Sequence, residues 1–262
     1  MQVLGYGIGE IKAEAAMTSD IIMREDVPFN VLNDYVEIER RTMDVRPGMN
    51  RKYTPFMYSP VTGGALCGGR YVFDTWERVQ TYFKWTQEEL EFEPGIKFWD
   101  REIFGKVDKH IWKVAGAHDF TPVETHGINR FERWSYTAEP SEAHRILKDL
   151  WPALREKARE ANLGTAWLLD QPDEKQIAIF VTGRDAQHDR DTDKLAASVD
   201  RLATMRSLGE LLPAELRVQK LFDRTSPIFS TWLPLSRQLG GAPVANPSSP
   251  AWPLPAVAPQ VI

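Results

Sequence analysis

The sequence predicts an α+β fold made of two tandem βαββαβ units, and three observations carry that expectation. Apolar stripes at helical spacing follow capping residues, short β-rich runs pair across turn-forming residues, and the order of these elements in the first half recurs in the second. The chain has 262 residues, 42% hydrophobic and 26% charged, enough to bury one large core or two small ones.

Residues 2–11 suggest a first strand. Leu32, Tyr35, Val36 and Glu39 then set a helix over Leu32–Met43. Residues 51–58 and 65–73 form a hairpin across the turn at 60–64. Asp74 and Glu77 have capping-box spacing, and Trp76, Val79, Phe83 and Leu90 place one helical face on a core up to about Glu91. Pro94 and Gly95 end that helix, and the aromatic run 97–104 is expected as the closing strand.

In the second half, 128–136 is a strand rich in Phe131, Trp134 and Tyr136. Its helix starts at Ser141 and carries Ala143, Ile146, Leu147, Leu150, Leu154, Ala158 and Ala161 on one face; Pro152 is expected to kink or restart it, and Gly164 to stop it. Residues 166–169 and 177–182 form a hairpin across Asp170–Asp173. Asp191 or Thr192 caps a helix with Leu195, Val199, Leu202 and Leu208, and 216–222 is the last strand. The expected organisation is a first ferredoxin-like unit over 1–108, a connection over 109–127, a second unit over 128–239, and an extended Pro-rich C-terminal arm over 240–262 in which Trp252 can dock on a neighbour. Each sheet carries helices on one face and leaves the other open, so two such sheets packed by their open faces would form an α+β barrel around a pocket.

A net charge of −5 leaves no broad basic surface for a phosphate backbone, so no nucleic acid is expected as a partner. A single cysteine, Cys67, cannot make an internal disulfide or a multi-thiolate metal site, which fits a cytoplasmic setting and no metal. The N-terminus lacks a basic flank and a long apolar run, and no later stretch approaches the roughly 20 apolar residues of a membrane helix, so no membrane association is expected. Gly5, Gly7 and Gly9 have the wrong context for a dinucleotide loop, and Lys194 and Asp200 break the calcium-loop pattern begun by Asp189, Asp191 and Asp193. Phosphate-loop, hydrolase-elbow and zincin motifs do not occur.

The run Gly68-Gly69-Arg70-Tyr71-Val72-Phe73-Asp74-Thr75-Trp76-Glu77, with Trp85-Thr86 after it, resembles the strand-to-helix segment of YdhR-type monooxygenase candidates in the dimeric α+β barrel superfamily. Trp112–Phe120 is similar to a segment of uncharacterised relatives of that group. The resemblance implies paired ferredoxin-like sheets holding a small hydrophobic or aromatic substrate, and a range of activities from cofactor-free monooxygenation to isomerisation, dehydration and haem degradation. This chain is about twice the usual length, so one chain could supply both halves of the family's homodimer; a homo-oligomer with the arm packed on a neighbour stays open.

His118 beside Asp119 is the first catalytic candidate, because a histidine titrates near neutrality and a carboxylate can orient it. Strand alternation offers another reading, in which the two point to opposite faces and Asp119 caps a turn. His126 precedes a strand with Arg130, Glu132, Trp134 and Tyr136 on one face and Asn129, Phe131 and Arg133 on the other. Either face sets polar groups beside aromatics, the usual lining of a small-molecule site, or forms an ion-pair ladder over a packed core. Tyr71 or Arg130 could stabilise an oxyanion, and Arg70, Trp112, Asp119, Arg133, Trp134 and Tyr136 are candidate substrate contacts; Tyr71 is equally suited to a core. His110, His144 and His188 are expected to be solvated. These residues allow a cofactor-independent enzyme that abstracts a proton from an aromatic or polyketide-like molecule, with or without oxygen, the latter as an isomerase, lyase or dehydratase. They equally allow a protein that only binds such a ligand.

Overall fold

The computed structural model describes residues 8–27, 47–59, 63–123, 126–183 and 207–233. The helices expected over Leu32–Met43 and from Asp191 to Leu202, residues 2–7, His188, and the Pro-rich arm with Trp252 lie outside the described residues. The strands are β1 (Gly9–Glu10), β2 (Ala15–Met23), β3 (Met49–Tyr58), β4 (Ala65–Phe73), β5 (Glu91–Glu93), β6 (Ile96–Lys97), β7 (Phe104–Asp119), β8 (Ile128–Ser135), β9 (Leu163–Gln171), β10 (Gln176–Gly183) and β11 (Gln219–Trp232). Helix α1 is Trp76–Glu88 and α2 is Pro140–Glu160.

The chain divides into two compact units. An N-terminal unit comprises Ala15–Ile111 with the stretch from Phe229, and a C-terminal unit comprises Met1–Glu14 with Trp112–Ile228. The long strands β7 and β11 each contribute residues to both, so the boundaries fall inside strands, and most of the connection expected over 109–127 is strand. In the N-terminal unit the strand order is β7-β2-β4-β3, and in the C-terminal unit it is β11-β8-β10-β9, with the final part of β7 added beside β9. Numbered within each unit, both orders are fourth-first-third-second, the antiparallel arrangement of a ferredoxin-like βαββαβ unit. The architecture is therefore α+β with ferredoxin-like halves.

Local physics explains where the elements depart from expectation. The first long strand is Ala15–Met23 rather than 2–11, and eight of its nine residues are buried. Burial on both faces suppresses alternation, and Thr18, Ser19 and Asp20 interrupt its apolar run. Thr75, not Asp74, caps α1, because its extended backbone lets its hydroxyl accept from the Arg78 amide at 3.3 Å. Asp74 instead pairs with the Arg78 side chain one turn on. The strand expected over 97–104 is a single 3-10 turn, Phe98–Asp100, closed by Arg101, whose Nε donates to the Phe98 carbonyl at 3.0 Å and whose guanidinium covers Phe98 and Phe104. Pro152 sits inside α2, which runs on to Glu160. Before β11, Arg217 takes a left-handed conformation, φ 51°, and ends a short turn where the last strand was expected to start.

In each unit one sheet face packs on a helix. Tyr71, Phe73, Ala15 and Met17 meet Val79, Tyr82 and Trp85 of α1 in the N-terminal core. Trp134, Tyr136, Ala166, Leu168, Ile177, Ile179 and Val181 meet Ala143, Leu147, Leu154 and Ala158 of α2 in the C-terminal core. Residues at the intervening positions of each strand form a second face, helix-free among the described residues.

Candidate functional site

Cross-strand register on the C-terminal unit's helix-free face produces layers of defined chemistry. Asp119, Thr165, Thr182, Asn129 and Ser226 stand opposite one another across β7, β9, β10, β8 and β11, and all five are buried. The next layer is Ala117, Trp167, Phe180, Phe131 and Arg224, with Trp167 and Phe180 centroids 4.4 Å apart. Beyond it come Leu169, Ala178, Arg133 and Phe222, the Arg133 guanidinium 5.7 Å from the Phe222 ring centre. A buried hydroxyl and carboxamide row thus borders three buried aromatic rings, with an arginine on their far side. These groups have the chemistry to stack on a planar ring and orient it through oxygen atoms where the face is uncovered, although all three rings are fully buried in the structure.

His126 stands at the polar edge of this surface and is fully buried. Its Nε2 lies 3.3 Å from the Thr121 carbonyl oxygen and 3.1 Å from Thr121 Oγ1. Nε2 thus faces a carbonyl oxygen that can only accept and a hydroxyl that can donate or accept, so the tautomer decides which of the two bonds the ring makes. Gly164, the extra residue where the β9–β10 register shifts, lets the ring approach. A Cβ there would stand 2.6 Å from both His126 Cδ2 and Thr182 Oγ1.

Alternation separates His118 from Asp119. Asp119 joins the polar row, while His118 pairs across β9 with Ala166 of the helix-side core. There its ring lies 4.8 Å from Phe120. Burial, reinforced by Arg155, holds the His118 pKa below its ordinary value against the opposing pull of Asp119 and Glu10. His118 is therefore neutral near pH 7 and able to accept a proton.

The other predicted residues are dispersed. Trp112 is fully buried at the start of the C-terminal unit's part of β7, and Trp134 and Tyr136 belong to the α2-side core. Arg130 forms two bonds to Asp223, at 2.9 and 2.7 Å, and lies 3.2 Å from Glu132. Burial would raise the Asp223 pKa, but Arg130 and Lys220 outweigh it and hold it low. In the N-terminal unit Tyr71 packs beside Tyr82 under α1, whereas Arg70 lies on the helix-free face. Arg70 donates to Asp20 at 2.7 Å and to the Ser19 carbonyl at 2.6 Å. Arg51, also fully buried, lies 3.4 Å from the Tyr53 hydroxyl.

One constellation has no counterpart in the sequence reading. The fully buried Asp170 carboxylate accepts from His144 Nδ1 at 3.0 Å and from the Tyr136 hydroxyl at 3.3 Å. His144 lies in α2, Asp170 on β9 and Tyr136 just past β8, so no local spacing signals the group. Burial raises the Asp170 pKa despite the His144 and Tyr136 bonds, and burial beside Asp170 raises that of Tyr136.

Among the described residues, no group of three or more His, Cys, Asp or Glu side chains could hold a metal ion, and no helix is long and apolar enough to cross a membrane. No protein-family model matches the sequence, and no curated protein matches it. Solved structures do resemble the chain. A candidate monooxygenase from Fusobacterium nucleatum subsp. nucleatum ATCC 25586 is 10% identical with a TM-score of 0.48, the match covering 85% of this chain and 92% of the other. A candidate monooxygenase from Lactobacillus acidophilus NCFM is 9% identical with a TM-score of 0.48, covering 84% and 96%. An anthrone oxidase-like protein is 14% identical with a TM-score of 0.44, covering 86% and 96%.

Proposed function

We propose that the chain is a cofactor-independent enzyme that abstracts a proton from a small aromatic or polyketide-like molecule held on the C-terminal unit's helix-free face. The observation that carries this reading is the buried row from Asp119 to Ser226, lying directly against the Trp167, Phe180 and Phe131 layer. In this reading the rings stack on the substrate, the His126 imidazole accepts the proton, and Arg133 stabilises the enolate or phenolate oxygen that develops. The resulting carbanion can react with oxygen as a monooxygenase substrate, or be reprotonated or eliminated as in an isomerase or lyase. Oxygen uptake during turnover separates the two outcomes. Full burial of His126 supports a second reading, an aromatic-ligand-binding protein in which the ring only shapes the site.

The test is a panel of phenols, naphthols and anthrone-like compounds, screened by quenching of tryptophan fluorescence and then for turnover. His126→Asn is expected to retain ligand affinity within about threefold and to lose about a hundredfold or more in kcat, the contribution typical of a general base. Turnover by wild type that His126→Asn leaves intact would remove the catalytic role. Binding without any turnover by wild type would favour the second reading.

A further inference from the structure

The polar row does not commit all its groups equally. Thr165 Oγ1 donates to the His118 carbonyl at 2.9 Å. Asn129 Nδ2 donates to the Ser226 carbonyl at 2.8 Å and contacts its hydroxyl at 3.1 Å. Thr182, 0% exposed, has a hydroxyl oxygen with no hydrogen-bond partner among the described residues. A buried hydroxyl left in that condition costs about 1–3 kcal/mol, and a valine of the same shape would avoid the cost. Its surroundings are specific. On one side along β10 is Phe180, a member of the aromatic layer, and over Gly164 the hydroxyl converges with the His126 ring. Because Gly164 has no side chain, both groups can occupy that space; a Cβ would stand 2.6 Å from Thr182 Oγ1 and 2.8 Å from His126 Nε2.

We infer that Thr182 is the specificity-determining residue of this site. Its hydroxyl hydrogen-bonds an oxygen borne directly on the aromatic ring of the ligand, a phenolic hydroxyl or a ring carbonyl, beside His126. The inference rests on the reading of this face as the ligand site and names the ligand class: oxygenated arenes in preference to plain hydrocarbons. A hydroxyl can donate to a carbonyl or phenolate oxygen and accept from a phenol, so one residue serves both forms of such a ligand. A ligand lacking that oxygen would leave the hydroxyl unpaired in the complex, which is the basis of discrimination by a buried polar group.

The experiment uses the full chain with 1-naphthol and naphthalene as probes, and compares wild type with Thr182→Val and Thr182→Ser by fluorescence quenching. Thr182→Val is expected to weaken 1-naphthol binding about five- to tenfold, the worth of one neutral hydrogen bond, while leaving naphthalene affinity unchanged. Thr182→Ser is expected to restore 1-naphthol affinity to within about twofold. Unchanged 1-naphthol affinity in Thr182→Val would overturn the inference while leaving the site itself standing. An equal loss for both probes would also overturn it, by assigning Thr182 a packing role. If wild type binds neither probe, the proposed ligand site fails and this assignment fails with it.

Discussion

The first, third and second strands of each unit's βαββαβ order carry a buried polar row on the helix-free face, and the two rows solve the burial problem differently. In the N-terminal unit the row is Thr18, Arg70 and Tyr53; in the C-terminal unit it is Asn129, Thr182 and Thr165. Arg70 brings a full charge, and its two terminal nitrogens meet the Asp20 carboxylate and the carbonyls of Ser19 and Gly69. Thr182 brings a neutral hydroxyl with no partner among the described residues. A buried ion pair holds its own strands together, whereas a neutral hydroxyl with no partner among the described residues can serve a ligand in the proposed reading. One topology thus carries an ion-paired row in one half and, in the proposed reading, a ligand-recognition row in the other.

The largest expected effect tests the ion-paired row. Arg70→Leu removes the guanidinium 2.7 Å from the buried Asp20 carboxylate and should destabilise the fold by about 3–5 kcal/mol, read from urea unfolding. Adding Asp20→Leu should recover much of that loss, since it removes the buried carboxylate that faced the guanidinium. Thr182→Val, by contrast, should leave the unliganded protein as stable as wild type or slightly more so. A large loss in Thr182→Val, or a small one in Arg70→Leu, would erase the distinction between the rows.

A smaller effect tests the geometry of the recognition row. Gly164→Ala introduces a methyl group 2.6 Å from the His126 ring and the Thr182 hydroxyl, so one or both must move. Overpacking of this kind costs about 1–3 kcal/mol. The His126 ring resonances should shift in the NMR spectrum while those of His118, on the other face, stay in place. Unmoved His126 resonances would mean that the ring is not seated over Gly164.

Much of this organisation is legible in the sequence because strand and helix periodicities are local. The strand at 65–73, the strand at 128–135 and the helix beginning near 140 follow directly from alternation and apolar stripes. Alternation also correctly offers Asn129, Phe131 and Arg133 as one face, and the separation of His118 from Asp119. The double-sided burial of β2 hides its period, and the turn at Phe98–Asp100 is set by Arg101 capping aromatic rings rather than by the aromatic residues themselves. The polar row is invisible for a different reason. Its five members come from five strands, and only register, fixed by tertiary packing, lines them up. His144, Asp170 and Tyr136 meet in the same way, so the histidine expected in solvent has its Nδ1 fixed by a buried carboxylate, although its side chain stays 36% exposed.

That carboxylate supplies the smallest and sharpest test, because it is buried like Asp20 but bonded by a histidine and a phenol instead of an arginine. Asp20 faces a guanidinium that is always charged; Asp170 is held by a histidine and a phenol, with Lys113 opposite it on β7. Burial leaves its pKa above the ordinary 3.8. A raised acid pKa means that the folded state binds the proton more tightly than the unfolded state. The stability linked to this proton is therefore fully present below 3.8 and is lost as pH rises through the elevated value. Asp170→Asn keeps the shape and one of the two acceptor oxygens, sets a donor in place of the other, and cannot titrate. Wild type should consequently gain stability relative to Asp170→Asn as the pH is lowered from neutrality toward 3.8, seen as converging or crossing urea midpoints. A difference that stays flat, or that grows in favour of the variant on acidification, would mean that His144 and Lys113 together stabilise the charged carboxylate as Arg70 does for Asp20, and the contrast between the two units would narrow to Thr182 alone.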